Sequence, residues 1–297
     1  MLKVLVEGGL GSQMCKYAVA KSASLKLGIP FCIDTSIYHT YPQKSWVYTR
    51  PYDLKKVFTL SDVPEVYHDD FFWKCGHWYL VRRRGRWDAE ILSKIIGLYN
   101  ADRYPTPEWD RFKRNGIITG MPVGDAYFYE YISEIQKDFT FKNPLDDRNM
   151  RIADQMNLCE SVSLHVRRGD YLQARYKDNY VHLTSDWYMS AISKINENVT
   201  NPHFFIFSED MQYCHEVFGT LKNTTFIDWN TGGDSYKDMQ LMSRCKHNIV
   251  ANSTFSRWGA WLNKNPNRMV ICSAHFYQNK DKDERAMRKK TDGWIYQ

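Results

Sequence analysis

"SVSLHVRRGDYL", residues 161–172, runs from an apolar stretch straight into two arginines, a glycine and an aspartate. Val162 to Val166 reads as a buried strand, and the chain after residue 151 repeats that reading at regular intervals. Further strands are expected at "HFFIFS" (203–208), "TTFIDW" (224–229), "HNIVA" (247–251) and "NRMVICS" (267–273). Helical segments lie between them: "SDWYMSAISKINEN" (185–198) with Ser185 or Asp186 as its cap, "MQYCHEVFG" (211–219), "YKDMQLMSRC" (236–245) and "SRWGAWLNK" (256–264). Strands alternating with helices predict a parallel sheet covered on both faces.

The N-terminus opens in the same way. "KVLV" (3–6) is a short apolar run, "GGLG" (8–11) breaks it, and "SQMCKYAVAKSASLKLG" (12–28) carries helix formers up to Gly28, with Pro30 just beyond. "FCID" (31–34) completes a βαβ unit. Residues 40–150 are rich in Trp, Tyr and charge and give weak strand signals. Within them "AYFYEYISEIQKDF" (126–139) places Phe128, Ile132, Ile135 and Phe139 at helical spacing. The polar stretch "NPLDDRN" (143–149) is a candidate linker. The expected fold is α/β with two Rossmann-like domains facing a cleft: residues 1–150, residues 151–275, and a tail, 276–297, packing back on the first domain.

In open parallel sheets, ligands bind beyond the carboxyl ends of the strands. Three loops fall there. "GGLGSQ" leads into a helix N-terminus, which suits an anion; counted from Gly9 and Gly11, the third glycine of a dinucleotide fingerprint is Met14, so Asp34 as a ribose contact has little support. In "HVRRGD", adjacent arginines point to opposite sides of the chain, and guanidinium groups bind phosphate bidentately. A solvated loop, an arginine–aspartate brace and a phosphate pocket all remain open for this stretch. "ANSTFSRW" crowds Asn252, Ser253, Thr254 and Ser256 before another helix, either as an ordinary cap or as a ligand loop. No G-x-x-x-x-G-K-[ST], G-x-S-x-G or HExxH occurs. His165 alone reads as a core histidine.

Composition narrows the class. With 43% hydrophobic and 15% aromatic residues, disorder is excluded for most of the chain. No apolar run approaches the roughly 20 residues of a membrane span, and "MLKVLVEGGLG" is no signal peptide. Seven cysteines, an odd number without CxxC spacing, suit a reducing compartment. The chain is therefore expected in the cytoplasm. Forty basic against thirty-four acidic residues give +6, which fits an anionic ligand or membrane surface. The cluster "VRRRGR" (81–86) reads as a solvated loop before it reads as a nucleic-acid or lipid site, so no nucleic-acid partner is expected. Peripheral contact with the inner face of a membrane is left open.

Together "GGLGSQMCKYA", "HVRRGDY", "FIFSED" and "DMQLMSRCKHNIVANSTFSRWGAWLN" resemble the family-11 glycosyltransferases, the α-1,2-fucosyltransferases, and the tail "DGWIYQ" is similar to the family's ending. Without the membrane anchor of animal members, the chain resembles the bacterial or viral type. The resemblance implies a GT-B-like pair of domains and inverting transfer of L-fucose from GDP-fucose to a galactose 2-hydroxyl. It implies a glycan acceptor, no metal and no cofactor beyond that donor. By the same resemblance, Arg167 meets the pyrophosphate with Arg168 beside it, and Ser253 and Thr254 add hydrogen bonds. His165 and Asp170 shape the loop or meet the nucleotide, Asp238 accepts from the guanine amino group, and Asn252, Ser256, Gly9, Gly11 and Gln13 complete the donor-binding set, with Arg167, Asp170 and Ser12 as the catalytic candidates. The chain departs from the family pattern in three places: Ser12 stands where Asn is usual, Met121 to Val123 replace aromatic residues and Gln, and Arg257 replaces a tryptophan.

Overall fold

A computed structural model describes residues 1–40, 50–60, 62–68, 75, 91, 94–95, 97–104, 106–120, 125–174 and 176–297. The chain divides into two compact units, Met1–Lys142 and Asn143–Gln297. The boundary thus falls before the polar stretch 143–149, not after it. Asp146 caps the helix Asp147–Leu158 by accepting from the Asn149 amide, so that stretch starts the second unit instead of linking two.

The first unit holds a five-stranded sheet. Its strands are β1 (Leu2–Leu5), β2 (Phe31–Asp34), β3 (Glu65–Val66), β4 (Leu98–Asn100) and β5 (Ile117–Thr119), in the order β3-β2-β1-β5-β4. Every pairing is parallel. The helix Leu10–Leu27 crosses from β1 to β2, buries Met14, Tyr17, Ala18 and Val19, and ends on Gly28 in the left-handed conformation. The helix expected over 126–139 is shorter: two 3-10 turns precede Ile132–Asp138. Phe128, Ile135 and Phe139 are nonetheless buried, so the apolar spacing marked the core correctly although the chain is only half helical there.

The second unit holds β6 (Glu160–Val166), β7 (Pro202–Ser208), β8 (Thr224–Ile227), β9 (His247–Val250), β10 (Val270–Cys272) and β11 (Trp294–Tyr296). All pair in parallel in the order β11-β10-β9-β6-β7-β8. Strand order reverses at β6 and β9, which makes their carboxyl ends the topological switch point.

Period two divides the faces of this sheet. Val162, Leu164 and Val166 pack with Phe204 and Ile206 against Tyr188, Ile192 and Ile195 of the helix Ser185–Asn198. Phe205 and Phe207 pack the other face against Ala153 and Met156 and against Leu241 and Met242 of the helix Tyr236–Met242. Burial on both faces explains why these strands read as nearly unbroken apolar runs. Thr184, not Ser185 or Asp186, caps the helix that follows the arginine loop.

The tail belongs to the second unit, where it forms β11, paired with β10 from Val270↔Trp294 to Cys272↔Tyr296. Trp294 is buried with its ring centroid 5.2 Å from that of Trp261 of the helix Thr254–Leu262. Trp294→Ala is expected to cost about 3 kcal/mol of stability in urea unfolding. An unchanged midpoint would mean that the tail strand does not stabilise the second unit.

Candidate functional site

At the end of β6 the side-chain alternation continues past the strand, so Arg167 falls on the side of Ser163 and His165, and Arg168 on the side of Val166. The neighbouring strand β7 is in register, Val166 opposite Ser208, and Glu209 and Asp210 follow its last residue. The two pairs therefore meet side by side. Arg167 Nη1 lies 3.0 Å from Glu209 Oε1, and Arg168 Nε donates to Asp210 Oδ2 at 3.0 Å. Arg167 Nη2 also lies 2.7 Å from the Asp170 carboxylate. Asp210 further accepts from the Tyr213 amide as cap of the helix Met211–Phe218, and the Arg168 guanidinium sits 3.8 Å from the Tyr213 ring. Both arginines are braced.

Gly169 makes this packing possible, because a Cβ there would fall 2.3 Å from Glu209 Cγ. Burial alone would lower the Arg167 pKa, but the Glu209 and Asp170 carboxylates outweigh it and hold the guanidinium charged. Even so, its Nε–H is buried without a hydrogen-bond partner, and so is Nδ1 of His165. Two orphaned polar atoms at one strand end are unusual in a native core, where such groups are nearly always paired. Burial, with the Arg167 charge adding to it, pushes the His165 imidazole down to about 3, so the ring is neutral.

The loop after β9 is tied to the arginine loop. The Tyr171 hydroxyl donates to the Asn252 carbonyl at 2.8 Å, and Tyr171 stacks on Tyr180 with centroids 4.1 Å apart. The Asn252 amide donates to the Val181 carbonyl at 2.6 Å, so that side chain anchors the loop from within and is not turned to a ligand. Ser253 is the N-cap residue of the next helix, yet its side chain makes no capping bond. The ordinary-cap reading of this hydroxyl is therefore not realised. Thr254 begins the helix, and Ser256 Oγ donates back to the Ser253 carbonyl at 3.3 Å. Arg257 is buried and turned to the sheet edge, with Nη1 3.2 Å from Cys272 Sγ and its guanidinium 5.3 Å from the Trp294 ring.

Asp238 accepts from the Asn230 amide at 2.8 Å. Burial pushes its carboxyl up to about 7; the Asn230 hydrogen bond opposes this and the Glu209 charge adds to it.

In the first unit Gly9 and Gly11 lie at the start of the helix after β1, and Gly8 takes a φ of 83° that favours glycine. Ser12 packs against this turn; a Cβ on Gly8 would be 3.1 Å from its Cβ. Gln13 is fully buried and saturated. Its Nε2 donates to the Gly8 and Pro51 carbonyls, both at 2.8 Å, while Oε1 accepts from the Asp53 and Leu54 amides. With all four hydrogen-bonding valences spent, Gln13 braces the turn and cannot also reach a donor, which corrects its assignment as a donor-binding group. Asp34 is likewise committed to the Ser36 amide and hydroxyl, which removes the ribose contact of a dinucleotide reading. Met121 to Val123 and the cluster 81–86 lie outside the described residues. Among the described residues no group of His, Cys, Asp or Glu is placed to hold a metal ion, and no helix is long and apolar enough to cross a membrane.

The model of glycosyl transferase family 11 matches residues 110–297, which include the whole arginine cluster. The chain belongs to this glycosyltransferase family. It is 28% identical over 281 residues to an alpha-1,2-colitosyltransferase of Escherichia coli, covering 92% of this chain and 91% of that protein. It is 34% identical, over 98% of both chains, to the O-antigen biosynthesis glycosyltransferase WbnK of Escherichia coli. Among solved structures it shares the GT-B fold of the fucosyltransferase NodZ from Bradyrhizobium, with a TM-score of 0.54, 14% identity and coverage of 87% and 91%. NodZ, an alpha-1,6-fucosyltransferase, has also been crystallised soaked with GDP-fucose (TM-score 0.52, 16% identity, coverage of 88% and 92%).

Glu209 and Asp210 are the members of this cluster that sequence reasoning did not assign. Their signal was an acidic pair at the end of one apolar strand matching a basic pair at the end of another.

A neutral His165 makes folding pH-dependent in a defined sense. Its folded pKa lies below the unfolded value of about 6.5, so its contribution is complete above that pH and is lost as pH falls towards 3. Between pH 6 and 4 the wild type should lose about 1.4 kcal/mol per pH unit more than His165→Gln in chemical denaturation. Parallel pH dependences would contradict the buried neutral ring.

Proposed function

We propose that the protein transfers L-fucose from GDP-β-L-fucose to the 2-hydroxyl of a galactose in a glycan acceptor, with inversion and without a metal ion. The observation that carries this reading is the braced arginine pair at the switch point of the second sheet, with the Arg167 Nε–H and the His165 ring nitrogen left without partners. A diphosphate is dense in acceptor oxygens and takes the Arg167 donor well, and the neutral His165 ring can meet it with Nδ1–H in one of its two tautomers. Arg167 would meet the pyrophosphate, with Arg168 beside it. Ser253, its hydroxyl unused by the cap, and Thr254 would add donors, and Asp238 would read the base.

In this mechanism the transition state is oxocarbenium-like and the departing GDP gains negative charge. Fixed cations already oriented by Glu209, Asp170 and Asp210 stabilise that charge without reorganising during the step. The GDP-fucose complex of NodZ supports the nucleotide class, and the O-antigen biosynthesis glycosyltransferase of Escherichia coli supports a bacterial polysaccharide acceptor. The colitosyl relative favours one second reading, the same linkage made from another GDP-sugar.

The test is incubation with GDP-fucose and a β-galactoside, with the linkage read by NMR. Transfer to the 2-hydroxyl is expected; fucose at another hydroxyl, or transfer only from another GDP-sugar, would overturn the specific reading. Arg167→Lys keeps the charge but loses the planar fork. It should lower transfer about 100-fold with little loss of melting temperature, and near-normal turnover would contradict the phosphate role.

A further inference from the structure

The second sheet carries a further set of polar side chains at its carboxyl end, in the segment that follows β8. That strand ends at Ile227, Trp229 and Asn230 follow closely, and the helix Tyr236–Met242 has Asp238 in its first turn. β8 pairs with β7, and β7 pairs with β6, the strand that leads into the arginines. Two strand spacings put the end of β8 about 10 Å from the end of β6, at the edge of the sheet where ligands bind.

Asn149, from the helix Asp147–Leu158, and Asn230 are both buried and hold each other as a reciprocal amide pair. Asn149 Nδ2 donates to Asn230 Oδ1, and Asn230 Nδ2 donates to Asn149 Oδ1, each at 2.9 Å. An amide side chain keeps its shape when turned end for end, so its neighbours decide which end is the donor. Here they do. The Trp229 indole can only donate, and its Nε1 lies 3.1 Å from Asn149 Oδ1. At the other end Asn149 Nδ2 faces both oxygens of the Asp146 carboxylate, at 3.1 and 2.9 Å. Asp146 is ionised and only accepts, because hydrogen bonds from Lys237 and Asn149 hold its pKa well below the usual range. Asn149 is therefore fixed, and it fixes Asn230. The second hydrogen of Asn230 Nδ2 then goes to Asp238 Oδ1 at 2.8 Å. Asp238 meets a donor there and not a carbonyl.

We infer that Asn230, aligned by Asn149 and Trp229, is the positioning residue that keeps Asp238 a hydrogen-bond acceptor and so selects a base whose edge carries donors. The inference rests on the nucleotide reading above, in which Asp238 reads the base. Guanine presents a ring N–H and an exocyclic amino group side by side, and a carboxylate accepts two such bonds in parallel. A protonated carboxyl would set its own O–H against one of them. Burial favours that protonated form and pushes the Asp238 carboxyl up to about 7; the Asn230 bond opposes the rise and the Glu209 charge adds to it. The neighbouring Lys237 is committed to Asp146 at 2.8 Å and to Asp234 at 3.2 Å. Asn230 is thus the group that works against burial.

The test measures binding of GDP and of IDP, which lacks the amino group, to wild type, Asn230→Leu, Trp229→Phe and Asp238→Asn across neutral pH. Wild type should prefer GDP by about tenfold or more on the alkaline side, and the preference should fall as pH drops through about 7. Without the Asn230 donor the Asp238 pKa rises further, so in Asn230→Leu that fall is expected about one pH unit higher. Trp229→Phe keeps an aromatic ring but removes the donor that orients the amide pair. It should move the fall in the same direction by less, and it decides the matter if Asn230→Leu does not fold. Asp238→Asn should show no pH dependence in its preference. A purely structural role for Asn230 would lower the melting temperature without moving the pH at which GDP and IDP separate. An unmoved pH dependence in the folded variants, or a wild type that binds GDP and IDP equally at every pH, overturns the inference and leaves the transferase reading standing. A wild type that does not bind GDP removes that reading first, and Asn230 with it.

Discussion

The second unit is organised around a pairing of charges across two neighbouring parallel strands. Arg167 and Arg168 follow β6 directly, Glu209 and Asp210 follow β7, and the register sets each basic residue beside an acidic one on the same face. An isolated guanidinium at a buried strand end would be costly to desolvate. Paired, it is held charged and immobile, which electrostatic stabilisation of a leaving group requires. Gly169 allows the approach of Glu209, and the Tyr171 bond to the Asn252 carbonyl locks the loop after β9 to the arginine loop.

The same pairing limits what the site can take. Three carboxylates surround two arginines, so the cluster is not a simple positive patch that would attract any anion. A ligand has to supply enough acceptor oxygens to compete with carboxylates already in place, and to meet the unpaired Arg167 Nε–H and the His165 nitrogen. A diphosphate carrying a flat base meets that demand better than a single carboxylate or sulfate does. The first unit contributes a different kind of order: Gln13 spends every hydrogen-bonding valence on fixing the glycine turn to the segment that carries Asp53.

The sheet of the second unit was legible in the sequence because its strands are buried on both faces and separated by helices of ordinary length. The βαβ start was legible for the same reason, aided by Gly28 as a terminator. The tail was not. Three residues of strand give little pattern, and the placement of β11 depends on Trp294 meeting Trp261, a contact no local signal encodes. Likewise the arginines were visible as candidates, but their acidic partners were not, since that pairing follows from strand order and not from chain order. Gln13 and Asn252 were read as ligand groups because an exposed loop amide and a buried brace look alike in one dimension; only the hydrogen-bond count separates them.

The central claim is that the arginine pair at the switch point holds the diphosphate of a guanine nucleotide. Thermal unfolding of the wild type with GDP, ADP, UDP and NADH in parallel tests it most directly. Ligand at about a hundred times its dissociation constant stabilises by roughly 2.7 kcal/mol, a shift of a few degrees for a chain of this size. The account predicts such a shift with GDP and much smaller ones with the other three. No shift with GDP, or equal shifts with all four, would contradict it.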